Sequence, residues 1–315
     1  MWFKNLSLYR FTEDIPFSET QLQEKLDSFR FRPCGSLELF SYGWTAPLPG
    51  QDDLLVHNNN GFWMICARKE EKILPATVIN EFLQERVGDI EDRELRKVRK
   101  KEKDSIRDEI IHDLLPKAFS YSRRTYAYID SKGKWLIVDA SSNKKSDDLV
   151  SYLRKSLDAL PVIPPVVNTS PTAMMTQWLT ENQPAAQGII LENECELRSP
   201  EEDGGIVRCK RQDLFSPEIE SHLKAGKEVI KLALTWNDRL SFVIDEHLSI
   251  KRLRFLDLIQ EEAADIETDS DADRFDADFA IMSLELARFL PKFFELFDGE
   301  DIRSHSSPKI SVSNG

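Results

Sequence analysis

Residues 275–297, FDADFAIMSLELARFLPKFFELF, carry the most regular apolar pattern of the chain. A seven-residue repeat with two apolar positions is typical of an α-helix that buries one face. The stretch therefore predicts a C-terminal helix that needs a large apolar partner. Its apolar side chains recur at steps of four and three residues, and we call this set the heptad seam: Phe275, Phe279, Met282, Leu286, Phe289, Phe293 and Leu296.

Two kinds of partner could cover the heptad seam, namely the protein's own core or a second copy of the chain. Leu290, Phe294 and Phe297 widen the seam and suit either partner. The terminal position and the acidic surroundings favour a helix that pairs with its own copy. We therefore predict a dimer interface, with an intramolecular core as an equal alternative. The predicted interface residues of this helix are Phe275, Phe279, Met282, Leu286, Phe289 and Phe293.

Charge is segregated along the chain. The net charge is −13, but residues 257–301 hold fifteen acidic and three basic residues, so the remainder is nearly neutral. Residues 93–103 hold seven basic and two acidic residues. Affinity for nucleic acids comes mainly from cations that displace counterions from phosphates. The net charge argues against a nucleic-acid partner, whereas the segregation permits one basic surface on an acidic protein.

The basic stretch predicts one long helix from about residue 93 to 115, ending before Pro116. Its cations follow helical steps of three and four residues, so they should share one face. Another face carries apolar residues that can anchor the helix on a core. A solvated helix surface is the alternative to a phosphate-binding surface. The cations that we call the basic stripe are Arg93, Arg96, Lys97, Lys100, Lys103 and Arg107, and Lys117, Arg123 and Arg124 extend the same patch.

Strand patterns and helix patterns alternate irregularly, which predicts an α+β fold with mixed sheets and helices. We expect two α+β regions, at 1–165 and 166–255. An acidic helical dimerisation region at 256–302 and a flexible tail at 303–315 should follow.

The composition excludes several classes of protein. Charged residues make up 31% of the chain, and no apolar run approaches the length of a membrane span. The N-terminus lacks the continuous apolar core of a signal peptide. The cysteines and histidines are scattered without the short spacings of a zinc site. We therefore expect a cytoplasmic protein with reduced thiols and no metal or cofactor. The four cysteines are Cys34, Cys66, Cys195 and Cys209.

Two patterns resemble a calcium loop and a nuclease site, but their residues do not have the required identity or spacing. Asp269, Asp271 and Asp273 imitate the opening of a calcium loop, but Arg274 stands where that loop needs glycine. Asp139 with Lys144 faintly suggests a metal-dependent nuclease, yet the further carboxylate and lysine such chemistry needs are not at near spacing. The sequence therefore predicts a protein that is not an enzyme.

Seven short stretches between residue 1 and about residue 300 are the most specific signals in the sequence. They are MWFKNL (1–6) with Tyr9 and Arg10, PCGS (33–36), CARKEEKILP (66–75), EKDS (102–105), LLP (114–116) with AFS (118–120), LRKSL (153–157) and RFDADF (274–279). Together they resemble the RdgC family of recombination-associated proteins.

The resemblance implies horseshoe-shaped protomers that join at two contacts into a ring-shaped homodimer with a positively charged hole. It implies binding of double- and single-stranded DNA with little sequence preference, on the nucleoid, and competition that restrains RecA's access to DNA. Phe119 matches a residue of the smaller, gate-like subunit contact. Lys210, Arg211 and Gln212 match residues implicated in DNA handling, with Arg211 where the family has lysine.

One function of another class stays open beside this expectation. The acidic C-terminal region could bind a protein partner, which would make the chain a regulatory or scaffold protein. Retention on duplex DNA that depends on salt separates the two functions.

Overall fold

The computed structural model describes residues 1–48, 50–181, 188–201 and 203–301 and confirms the predicted α+β class. The predicted tail, 303–315, lies outside these residues. The helices are α1 (Glu19–Asp27), α2 (Ala76–Glu94), α3 (Lys100–Leu114), α4 (Asn143–Leu157), α5 (Pro171–Glu181), α6 (Pro217–Lys224), α7 (Asp257–Ala264) and α8 (Asp271–Glu295). A 3₁₀ turn spans Leu115–Lys117.

Two antiparallel sheets carry the strands. The first sheet has the order β2-β4-β5-β6-β1-β7, with β3 also pairing with β4. Its strands are β1 (Ser7–Phe11), β2 (Phe40–Thr45), β3 (Val56–Asn59), β4 (Phe62–Lys72), β5 (Ser120–Asp130), β6 (Trp135–Val138) and β7 (Val162–Ile163). The second sheet has the order β12-β11-β10-β8-β9. Its strands are β8 (Ile189–Arg198), β9 (Ile206–Lys210), β10 (Glu228–Trp236), β11 (Leu240–Asp245) and β12 (Ile250–Phe255).

Each face of the first sheet covers a different core, because successive side chains of a strand point to opposite faces. On β5, Ala127 and Ile129 face a core built with α1 and α4. Tyr128, between them, faces a larger core that includes α8 and the second sheet. The first sheet is therefore covered on both faces over the buried half of β5.

The heptad seam lies in that larger core of the single protomer. The Phe279 ring is 5.7 Å from Tyr128 of the first sheet, and the Phe289 ring is 5.0 Å from Phe242 of the second. All seven seam side chains are at most 8% exposed. The intramolecular alternative accounts for the seam. The dimer-interface role predicted for this face is corrected accordingly, because a second copy cannot reach Phe275, Phe279, Met282, Leu286, Phe289 or Phe293 in this conformation.

The N-terminal segment joins the two sheets. Leu6 and Ile250 of β12 exchange backbone hydrogen bonds of 2.7 and 3.1 Å. The Asp139 carboxylate accepts hydrogen bonds from the backbone N–H groups of Lys4 and Asn5, at 3.2 and 2.9 Å. Burial raises the pKa of this carboxyl group. Asp139 thus fixes the joint, which is a structural role.

The single helix predicted over 93–115 is wrong. Helix α2 ends at Glu94, Leu95 adopts the left-handed conformation with φ of 50°, and α3 begins at Lys100. Val98 in the connecting turn packs with Ile79 and residues of α3 in a small separate core. Burial of that turn residue folds the segment back, so α2 and α3 form a helical hairpin. We call residues 76–114 the arm.

The acidic residues before the heptad seam begin helix α8. The Ser270 side chain accepts a hydrogen bond from the Asp273 N–H at 3.1 Å, which caps the helix. Asp271 and Asp273 lie in the first turn, where negative charge is favourable at the helix N-terminus. Two of the three aspartates that imitate a calcium loop, Asp271 and Asp273, therefore stabilise the start of α8.

Candidate nucleic-acid interface

The arm pairs part of the basic stripe with its own carboxylates. Arg96 lies 2.7 Å from both Glu94 and Glu102, and Lys97 lies 2.7 Å from Glu91. These contacts raise the pKa of the Arg96 guanidinium, and the hydrogen bond from Lys97 lowers the pKa of the Glu91 carboxyl group. Arg96 and Lys97 are therefore less available to phosphates than their spacing predicts.

Two further stripe residues also have partners within the arm. Arg93 lies 3.2 Å from Glu94, and Arg107 donates a 2.7 Å hydrogen bond to the Asn80 side chain. The basic stripe is thus divided between the end of α2, the turn and α3, and it does not form one continuous helical face.

Lys100 and Lys103, on the first turn of α3, remain exposed and have no carboxylate within 4 Å among the described residues. Arg99 and Lys101 beside them are also exposed and were not among the predicted site residues. Their position in the same basic run was the available signal. The cations of the arm that can meet phosphates are therefore concentrated at the start of α3.

In the sequence, the arm connects β4 to β5. Phe119 lies at the base of the arm, just before β5. Its side chain is 84% exposed, so it is not part of the protomer's core. Its carbonyl accepts a 2.8 Å hydrogen bond from the Ile73 N–H, which fixes the backbone while the ring faces solvent. Other large apolar side chains share this end of β2, β4 and β5. We call the set the apolar rim: Leu39, Ile73, Phe119 and Tyr121.

The cations after the arm follow the exposed half of β5. Lys117 lies in the 3₁₀ turn, and Arg123 and Arg124 lie on opposite faces of the strand. The Arg123 guanidinium stacks 4.9 Å above the Tyr121 ring. The patch predicted from sequence proximity thus divides between two faces of the first sheet.

The second sheet carries its own charged surface, which lines a cavity of about 570 Å³. Glu194 lies 2.6 Å from Arg252, and Glu196 lies 3.0 Å from Lys231 and 3.2 Å from Arg208. We call this surface the charged sheet face. Its members are Glu194, Glu196, Arg208, Lys210, Lys231, Lys251, Arg252 and, in the adjoining cavity, Arg211 and Arg254.

Three cations of the charged sheet face have no carboxylate within 4 Å among the described residues: Lys210, Arg211 and Arg254. Gln212 donates its side-chain amide to Glu218 at 2.7 Å and is therefore engaged outside the cavity. Lys210 and Arg211 were indicated by the family resemblance, whereas the cations contributed by β10 and β12 were not predicted. The alternation of cation and buried residue in Arg208-Cys209-Lys210 was a signal for such a face.

The described part of the chain contains no group of three or more His, Cys, Asp or Glu side chains placed to hold a metal ion. It also contains no helix with the length and apolarity to cross a membrane. The geometry presents unpaired cations at the start of α3 and on the charged sheet face, with an exposed apolar rim at the base of the arm. Cations without carboxylate partners suit a polyanionic ligand.

Comparison with known proteins gives one consistent family. Residues 1–300 match the family model described as "Putative exonuclease, RdgC". Relatives named "Recombination-associated protein RdgC" include those of Tolumonas auensis (47% identical over 300 residues), Aeromonas hydrophila (47% over 302) and Pseudomonas aeruginosa (48% over 303). The matches cover 95–96% of this chain and 99% of each relative. With nearly the whole chain matched at this identity, the chain belongs to the RdgC family.

Proposed function

We propose that the protein binds double- and single-stranded DNA without reading its sequence, and that it acts as a ring-shaped homodimer on the nucleoid. In this role it modulates recombination by restraining the access of RecA to DNA. The observation that carries the proposal is the set of exposed cations without carboxylate partners on a chain of net charge −13: Lys100, Lys103, Lys210 and Arg211. The names of the relatives, which refer to recombination, support DNA as the ligand.

Two exposed apolar surfaces support the homodimer. One is the apolar rim around Phe119. The other is the outer face of α8, opposite the heptad seam, where Leu284 is 42% exposed beside Ile281 and Ala287. A symmetric dimer joins like surfaces. Two such contacts, far apart in the sequence, would close two protomers into a ring. A ring holds DNA topologically, so few phosphate contacts suffice and the exterior can stay acidic.

Changing the two free lysines of α3 should weaken binding of every DNA. The double variant Lys100→Glu, Lys103→Glu should lower affinity for duplex by about tenfold at moderate salt, because about two fewer phosphates are neutralised. The slope of log affinity against log salt should become shallower by about two. Fluorescence anisotropy of a labelled duplex over a salt series measures both quantities.

A matched double variant separates a binding surface from net charge. Lys25→Glu with Lys134→Glu changes the net charge equally, but these lysines pair with Asp158 and Asp14 on other surfaces. The control should bind nearly as well as the wild type. Equal losses for both double variants, or an unchanged salt slope, would contradict the proposed interface.

The two other functions give different results in the same assay. A scaffold protein that works through its acidic C-terminal region would show no salt-dependent retention on DNA. A nuclease, which the description of the family model names, would shorten the labelled duplex when magnesium is added. The proposal expects retention and an intact duplex.

A further inference from the structure

Another surface, on the α4 side of the first sheet, combines aromatic rings with lysines. It is a groove of about 430 Å³ between β2, β4 and helix α4. We call it the aromatic groove. The side chains that matter here are Phe40, Tyr42, Lys69, Lys144, Tyr152 and Lys155. None of them was a predicted site residue.

The two tyrosine rings form the fixed floor of the groove, and Phe40 lies at its open end. The Tyr42 and Tyr152 rings meet edge to face with centroids 4.7 Å apart, and the Tyr152 hydroxyl donates a 2.9 Å hydrogen bond to the Tyr42 carbonyl. Phe40, two residues before Tyr42 on the same face of β2, is 57% exposed. The two tyrosine rings are therefore held in place, whereas the Phe40 ring is exposed to solvent.

Lysines border these rings on both sides. Lys144 and Lys155, on the exposed side of α4, have no carboxylate within 4 Å among the described residues. Lys69, from the sheet, lies 5.3 Å above the Phe40 ring and 2.5 Å from Glu71. Asp148 is the acidic residue of the lining. The groove therefore has three lysines and two carboxylates, those of Asp148 and of Glu71, which pairs with Lys69. Its net charge is positive.

Open aromatic faces beside unpaired cations are the features that bind single-stranded nucleic acids. Bases stack on aromatic rings whatever the sequence, and the cations follow the phosphates. A duplex keeps its base faces stacked inside, so it cannot use such rings. We propose that the aromatic groove binds a segment of single-stranded nucleic acid, with a base stacked on Phe40 and phosphates at Lys144 and Lys155. This assignment rests on the proposed DNA binding but gives the single strand a site of its own.

Conservative variants of the groove should separate single-strand from duplex binding. Phe40→Leu removes the stacking face but keeps an apolar side chain, and Lys155→Gln removes one charge. Each should weaken binding of an oligothymidylate by about fivefold or more, in line with the loss of one stacked base or one phosphate contact. Affinity for duplex should stay within about twofold of the wild type. Fluorescence anisotropy measures both ligands on the full chain.

Matched controls use the same substitutions at exposed residues outside the groove. Phe119→Leu removes an aromatic ring from the apolar rim, and Lys25→Gln removes a charge from α1. Neither should change oligothymidylate binding. If these controls weaken it as much as the groove variants, the assignment fails. If the wild type binds neither oligothymidylate nor duplex, the proposed function itself fails.

Photocrosslinking locates the single strand directly. An oligonucleotide carrying 4-thiothymidine should crosslink to peptides containing Phe40, Tyr42 or Tyr152, and a 4-thiouridine RNA tests whether the sugar matters. Crosslinks confined to the arm or the charged sheet face would overturn the assignment. Displacement of the oligonucleotide by polyglutamate of equal charge would also overturn the assignment, because binding in the groove would then depend on charge alone.

Discussion

Replacing Phe279 by aspartate should unfold the protomer or leave it marginally stable. The ring is fully buried and packs 5.7 Å from Tyr128 and 5.9 Å from His57, so α8 loses contacts to the first sheet. Loss of a buried phenylalanine alone costs about 3–5 kcal/mol, and an unpaired buried carboxylate adds to that cost. This loss is a large part of the roughly 5–15 kcal/mol that holds a typical domain folded. Denaturant unfolding measures it.

The outer face of the same helix supplies the control. Leu284→Asp places the same charge at a side chain that is 42% exposed. The free energy of unfolding should change by less than about 1 kcal/mol, while the proposed dimer contact on α8 should break and yield folded monomers. A Phe279→Asp variant with the stability of the wild type would contradict the assignment of the heptad seam to the core.

Replacing Arg239 by methionine should be the most destabilising change of an ion pair. Its guanidinium lies 2.6 Å from Glu285, a carboxylate that is 2% exposed on the inner part of α8. The variant leaves this carboxylate buried, with Arg288 at 3.6 Å as its remaining cationic partner among the described residues. Removing one partner of a buried pair costs about 3–5 kcal/mol. Arg239 is itself partly exposed and also binds Glu262, so we expect the lower end of that range.

Two comparisons test this prediction. Arg252→Met removes the partner of Glu194 on the exposed sheet face and should cost at most about 1 kcal/mol. The double variant Arg239→Met, Glu285→Met should recover most of the stability, because no buried charge is left without a partner. If the double variant is as unstable as Arg239→Met alone, burial of an unpaired charge is not the cause.

Features set by neighbouring residues were predictable from the sequence. A serine followed three residues later by glutamine is the signature of a capping box, and Ser18 and Gln21 form that box at the start of α1. The sequence Ser-Lys-Gly at 131–133, between two apolar runs, is typical of a hairpin turn, and it joins β5 to β6. In each case the deciding contacts lie within a few residues, where sequence patterns carry most of their information.

Features set by distant contacts were missed. The reversal at Leu95 contains no glycine or proline, and it follows from burial of Val98 against α2 and α3. Strand β2 was not predicted, although Gly43 marks it: a Cβ there would lie 2.4 Å from the Phe31 backbone. The identity of the approaching segment depends on tertiary structure, so the glycine alone did not reveal the strand.

The candidate site, too, was predictable only as far as neighbouring residues determine it. The sequence located Lys97 and Lys100 in one basic run, but it could not show which of them is free. The turn of the arm brings Glu91 to Lys97, and the same carboxylate accepts a 3.0 Å hydrogen bond from the Val98 N–H. Which cations are free for phosphates was therefore decided by the folded hairpin.

Retention on circular and linear duplex of the same sequence tests the central claim most directly. A closed ring cannot leave a covalently closed circle without opening, whereas it can slide off the ends of a linear molecule. After a high-salt challenge that screens phosphate contacts, the wild type should stay on the circle and dissociate from the linear duplex. Phe119→Ser, which changes the apolar rim, should dissociate from both and keep the stability of the wild type. Equal dissociation of the wild type from circle and linear duplex would contradict encirclement.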